Sequence, residues 1–152
     1  MKIGVLGSGM VGQALATRLV SLGHEVTVGT RDVHKLDDWL ASVDHKARVG
    51  SFAEAAANGE VVFNATAGSG ALNALRMAGA DNLRGKVVVD ISNPLDFSRG
   101  MPPSLFVSNT DSLGEQIQQA FPEVRVVKSL NTMNANVMVN PHLVAGGDHT
   151  VF

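Results

Sequence analysis

The chain of 152 residues has no cysteine and no tyrosine, a single tryptophan (Trp39), and only 5% aromatic residues. Without a thiol there is no disulfide, no thiolate metal site and no cysteine nucleophile. A dominant charge is lacking too. Twelve Lys and Arg against fourteen Asp and Glu leave a formal net charge of -2, with no basic block. Nucleic acids and anionic membranes attract proteins through clustered positive charge, so neither is an expected partner. No apolar run approaches the ~20 residues of a membrane-spanning helix. Lys2 is followed by a glycine-interrupted strand rather than the apolar stretch of a signal peptide. These absences fit a cytoplasmic protein. What is present, 45% hydrophobic and 17% charged residues, is the composition of one globular domain spanning residues 1–152.

The opening residues are the most informative. A hydrophobic strand over residues 2–6 runs into Gly7-x-Gly9-x-x-Gly12, and an apolar-periodic helix follows to residue 22, stopping at Gly23. A helix N-terminus aimed over such a turn offers free amides and a positive dipole end to a pyrophosphate. Gly7 permits the tight turn, Gly9 admits the diphosphate to the backbone, and Gly12 lets helix and strand pack closely. Glycine patterns alone are weak, but here both the strand and the helix flank the motif.

Beyond the motif, strands and helices alternate. Further strands are expected over residues 26–28, 47–50, 60–65, 86–91 and 124–129. Leu36, Trp39, Leu40 and Val43 recur at helical spacing. Ser51-x-x-Glu54 and Ser112-x-x-Glu115 read as capping boxes. Gly68-Ser69-Gly70 opens a helix expected to reach about Ala80, and residues 94–103 read as a loop. Six strands joined by crossovers predict an α/β fold: a doubly wound parallel sheet in the order 3-2-1-4-5-6, the Rossmann dinucleotide-binding fold.

The end of the second strand selects the nucleotide. An acidic residue there would bind the ribose hydroxyls of NAD, whereas this chain reads Val28-Gly29-Thr30-Arg31-Asp32, with Lys35 a turn later. Gly29 leaves room, Thr30 can donate a hydroxyl hydrogen bond, and Arg31 can clamp a 2′-phosphate, with Lys35 adding a second cation. The expected cofactor is NADP(H), and Asp32 is the counter-argument.

Several motifs taken together resemble a known family. Gly7-x-Gly9-x-x-Gly12, Leu22-Gly23-His24-Glu25-Val26, Gly29-Thr30-Arg31-Asp32-x-x-Lys35, Val89-Asp90-Ile91-Ser92-Asn93-Pro94-Leu95 and Val127-Lys128-Ser129-Leu130-Asn131-Thr132 resemble the NADP oxidoreductases dependent on coenzyme F-420. That group is similar to the reductase domain of the STEAP ferric reductases. The resemblance implies that Ser8, Gly9, Met10 and Val11 contact the pyrophosphate, that Thr30, Arg31 and Lys35 contact the 2′-phosphate, and that Ala67, Asn93 and Met133 lie along the rest of the cofactor. It further implies a small-molecule acceptor, a deazaflavin or a flavin, and a homodimer. The chain departs from the family in two places. Ala67-Gly68 stands where a Pro-Trp or similar pair is common, and the domain is expected to lack the C-terminal segment of the family. Residues 149–152 have strand-like character, and an exposed apolar edge is expected near Val144, Val151 and Phe152.

Hydride transfer between stacked rings needs positioning more than acid–base chemistry. Thr66, Asn93 and Asn131, just past strands four, five and six, are neutral, and they are expected to line the nicotinamide pocket. No catalytic acid or base and no metal site is expected. His142, Asp148 and His149 read as coincident loop residues. A second class of function remains open, an NADP(H)-binding module or redox sensor without chemistry of its own, or a piece of a larger reductase.

Overall fold

The computed structural model describes residues 1–151. Six parallel strands, β1 (Lys2–Leu6), β2 (Glu25–Gly29), β3 (Arg48–Gly50), β4 (Val61–Asn64), β5 (Val87–Asp90) and, after the short pair β6 (Leu95–Asp96) and β7 (Ser104–Leu105), β8 (Arg125–Lys128), form one sheet. Its order is β3-β2-β1-β4-β5-β8. With β8 as the sixth long strand, this is the 3-2-1-4-5-6 winding that the alternating pattern predicts.

Period-two alternation divides the core between the two faces. Ile3 and Val5 of β1, in register with Val26 and Val28 of β2, pack with Leu36, Trp39 and Val43 under α1 (Met10–Ser21) and α2 (Asp37–Ser42). Leu6, Val62 and Val88 face the other way, onto α3 (Phe52–Asn58), α4 (Ala71–Ala78) and α6 (Leu113–Ala120). Each fully buried leucine there contributes roughly 1.5–3 kcal/mol. Trp39 is anchored where its ring turns polar, its Nε1 donating to Thr17 Oγ1 at 2.9 Å.

Alanine-rich α3 packs directly on the sheet, and glycine leaves the room for it. A Cβ on Gly29 would stand 3.0 Å from both Ala55 Cβ and Phe52 Cα. The space at Gly29 therefore serves helix packing, which corrects the expectation that it leaves room for the nucleotide. α3 begins with a complete capping box. Ser51 Oγ accepts from the Glu54 amide at 3.2 Å, and the Ser51 amide donates to Glu54 Oε2 at 2.7 Å. At its far end Lys86 Nζ donates to the Ala56 and Ala57 carbonyls at 2.7 and 3.2 Å, a cation at the negative helix end.

Four local expectations change. The helix after Gly70 stops at Ala78, because Gly79 takes φ +88° and turns the chain into α5 (Ala80–Leu83). The span 94–103 is not a plain loop, since Leu95 and Asp96 pair antiparallel with Leu105 and Ser104. The second capping box is half formed. Ser112 Oγ caps the Glu115 amide at 3.2 Å, but the Ser112 amide donates to Asp111 Oδ1 at 2.8 Å. After β8 the chain forms α7 (Ala135–Val139) against α1, then two 3-10 turns. Residues 149–151 form no strand, and Phe152 lies outside the described residues. Val144 and Val151 are 45% and 39% exposed.

Candidate functional site

The carboxyl edge of the sheet carries the site. At the end of β1, Gly7 adopts φ +124°, where a Cβ would press to 2.7 Å from the Ala65 carbonyl oxygen. A Cβ on Gly12 would land on the Gly7 carbonyl itself, so these two glycines are fixed by backbone-to-backbone approach. Gly9 differs, for nothing lies within 4 Å of where its Cβ would stand. That open cradle faces the first turn of α1, which has no side-chain cap and no acidic residue. Its amides and dipole are thus free for an anion of diphosphate size, and the residues present fit a dinucleotide. Gln13, a residue the sequence reading passed over, braces the loop by donating from Nε2 to the Ser8 carbonyl at 2.9 Å. Met10 is exposed at the rim, and Val11 lines the adjoining cavity.

At the end of β2, Thr30 is buried, and its hydroxyl sits 3.0 Å from Ser8 Oγ and 3.1 Å from the Asp32 carbonyl oxygen. It ties the glycine loop to the β2 exit. The Asp32 carboxylate accepts from the His34 amide at 3.1 Å and caps the 3-10 turn Val33–Leu36. The counter-argument for NAD thus has a local occupation. Arg31 and Lys35 are both exposed. The turn is pinned by fully buried Leu36, and Lys35 lines neither of the cavities beside the glycine loop.

Two cavities flank the glycine loop along this edge. One is lined by Arg31, Phe52, Thr66, Ala67, Gly70, Asn73, Ala74 and Met77, on the β2 side. The other is lined by Val11, Ala65, Thr66, Ala67, Gly68, Ser69, Ile91, Ser92, Asn93, Leu95 and Phe97. Thr66 and Ala67 belong to both and form the waist between them. Of the expected residues, the structure brings Val11, Arg31, Thr66, Ala67 and Asn93 to these walls. Asn131 lines a separate depression behind Asn93. It still reaches the site through a reciprocal amide pair, Asn93 Nδ2 to the Asn131 carbonyl at 2.8 Å and Asn131 Nδ2 to Asn93 Oδ1 at 3.1 Å. Met133 lines neither cavity and follows the turn made by Leu130 at φ +63°.

The second cavity is lined by neutral residues, but a charged group is tied to its wall through Ser92. Beneath it the fully buried Asp90 accepts from Asn64 Nδ2 at 2.8 Å and from Ser92 Oγ at 2.7 Å, and pairs with Lys128 Nζ at 2.7 Å. A signal for this group was available, since a charged residue closes each of the valine-rich strands Val87–Asp90 and Arg125–Lys128. Phe97, Asn73 and Met77 carried no comparable signal, because hairpin and helix packing alone bring them to the cavity walls.

Comparison with known proteins agrees with this geometry. Residues 2–94 match the family described as NADP oxidoreductase, coenzyme F420-dependent. The F420-dependent NADP reductase of Methanothermobacter marburgensis is 30% identical over 151 residues, 92% of this chain and 67% of that protein. The metalloreductase STEAP3 of Rattus norvegicus is 34% identical over 134 residues, 88% of this chain, although the chain spans only 25% of that protein. A crystal structure described as an F420-dependent NADP reductase from Arthrobacter sp. FB24 superposes with a TM-score of 0.95 at 56% identity, covering 100% of this chain and 72% of that one. Since the matched segment spans β1 through β5 and carries both the glycine cradle and the Arg31 turn, the chain belongs to the coenzyme F420-dependent family of NADP oxidoreductases.

Proposed function

We propose that this protein transfers hydride between NADPH and a deazaflavin of the coenzyme F-420 type, with a flavin as the alternative acceptor. The observation that carries the reading is the cavity at the ends of β4 and β5. It adjoins the glycine loop through Val11, and its walls are apolar or neutral: Ala65, Ile91, Asn93, Leu95 and Phe97 among them. Hydride transfer needs two flat rings held face to face with water kept away, and such walls serve both needs.

In this reading the free amides at the start of α1 hold the diphosphate. Arg31 and Lys35 hold the 2′-phosphate above the β2 exit, and the adenosine half fills the cavity that Arg31 lines. The bound dihydronicotinamide supplies the hydride, two electrons with one proton, to the acceptor ring. The protein's part is geometric. Thr66 and Ala67 set the waist, and the Asn93–Asn131 pair fixes the far wall. The relatives' names support F-420 as acceptor, since the reductases of Methanothermobacter marburgensis and Arthrobacter sp. FB24 are both named for it.

The test follows NADPH absorbance while F-420, FMN and a ferric chelate are offered in turn. Fast oxidation by F-420 and slow or no oxidation by the others is the expected result. A protein that binds NADPH tightly but oxidises it with none of the three is a nucleotide-binding module, and the proposal fails.

A further inference from the structure

We propose that Lys128 and Asp90 are positioning residues for the nicotinamide end of the site, acting through Ser92 and Asn93. The inference rests on the functional reading above and concerns residues that touch no cofactor themselves. It starts from register. Asn64, Asp90 and Lys128 are the last residues of β4, β5 and β8, and they stand opposite one another across three adjacent strands. Their side chains form one polar row along the edge of the sheet that the cavity occupies.

Each link in the row is short and directed. Thr66 Oγ1 donates to Asn64 Oδ1 at 2.7 Å, Asn64 Nδ2 donates to Asp90 Oδ1 at 2.8 Å, and Lys128 Nζ meets Asp90 Oδ2 at 2.7 Å. The same ammonium also donates to the Ser92 carbonyl. Ser92 is held at three points, because its amide and hydroxyl donate to Asp90 Oδ1 at 3.3 and 2.7 Å while its carbonyl accepts from Lys128. The next residue is Asn93, whose amide is locked to Asn131, three residues past Lys128. The exits of β5 and β8 are therefore cross-linked twice, and both Ser92 and Asn93 line the nicotinamide-side cavity.

Stability alone is a poor account of this arrangement. A buried ion pair is commonly no more stabilising than an apolar pair of the same size, because desolvation consumes much of the Coulombic gain. What the pair contributes that an apolar pair lacks is direction: it fixes where the Ser92 backbone leaves the sheet. The row also commits the Thr66 hydroxyl proton to Asn64, so Thr66 faces the waist of the site as a hydrogen-bond acceptor.

The test separates the two halves of the cofactor by using 2′,5′-ADP, which has no nicotinamide, beside NADPH. Lys128→Met alone leaves a buried carboxylate unpaired and risks unfolding. The informative protein is the double variant Asp90→Asn/Lys128→Met, which removes both charges yet keeps a side-chain acceptor for Asn64 and Ser92. Its 2′,5′-ADP affinity should stay within about twofold of wild type, since the α1 cradle and Arg31 lie elsewhere. Its NADPH affinity should fall at least fivefold relative to 2′,5′-ADP, with altered fluorescence of the bound dihydronicotinamide. Lys128→Arg, which keeps the charge, should restore most of the wild-type signal. Wild-type NADPH affinity and fluorescence in the double variant, with only the melting temperature changed, would overturn the inference. A parallel loss of both ligands would overturn it as well. Wild-type protein that binds neither ligand refutes the functional reading at the first step, so the two failures are distinguishable.

Discussion

At the exit of β2 one turn carries a buried hydroxyl, an exposed guanidinium and an exposed ammonium, those of Thr30, Arg31 and Lys35. Thr30 is occupied in holding Ser8 and the Asp32 backbone, so in the proposed site discrimination between NADPH and NADH would fall mainly to Arg31. A charge-assisted hydrogen bond is worth roughly 1.5–3 kcal/mol, so Arg31→Ala should weaken NADPH about 10- to 150-fold. NADH, which has no 2′-phosphate, should be almost unaffected. Calorimetric titration of both nucleotides checks this, and equal losses would remove Arg31 from the 2′-phosphate. Gly9 and Gly12 make a second contrast at this scale. Gly9 has φ -79° and open space at its Cβ position, so Gly9→Val should fold normally yet lose nucleotide binding. Gly12→Ala should instead destabilise the fold, by roughly 1–3 kcal/mol, because its methyl group meets the Gly7 carbonyl. Urea melts beside NADPH titrations of the two variants separate binding from folding.

Among the elements, α3 shows how a short helix is held against a sheet. Its start depends on the Ser51–Glu54 box, and Ser51→Ala should cost about 1 kcal/mol of stability. Donation from the Ser51 amide, then from its hydroxyl, holds the Glu54 carboxyl below the ordinary glutamate value of 4.5. A carboxyl with a depressed folded value stabilises fully above its unfolded value, and the contribution is lost as pH falls through the folded one. Acid should therefore weaken the cap only below pH 4.5. Glu54→Gln keeps an acceptor but cannot titrate, so its urea midpoint should change less with pH than wild type over that acidic range. An equal acid limb in both proteins would place the titration elsewhere. The box was legible in the sequence because its partners are three residues apart. Its counterpart at Ser112 was only half legible, since neighbouring Asp111 competes for the amide that Glu115 was expected to reach.

For the whole molecule, the proposed site has one nucleotide span both cavities and the waist between them, which would couple the β2 exit to the β5 and β8 exits. A ligand present at about 100 times its Kd stabilises the folded state by roughly 2.7 kcal/mol. For a chain of this size that raises Tm by roughly 5–10 °C. NADPH at such an excess should give that shift, and NADH at the same concentration a clearly smaller one, in a thermal scan. Equal shifts would mean that the cations at the β2 exit play no part in recognition.

Local patterning was enough to determine the strand–helix alternation, the sheet order, the glycine turn between β1 and α1, and the cations that follow β2. Each of these is written in residues a few positions apart, where turn geometry, helical spacing and strand alternation act directly. Tertiary structure alone decided the rest. Gly29 proved to serve the packing of α3, because only the folded chain brings Ala55 and Phe52 against it. The pairing of Leu95–Asp96 with Ser104–Leu105 closed a span that reads as a loop. The row Asn64–Asp90–Lys128 joins residues 26 and 38 positions apart. The charged ends of two valine-rich strands hint at a buried charge, but the row itself exists only once β4, β5 and β8 lie side by side in register and the burial of Asp90 demands partners from both neighbours.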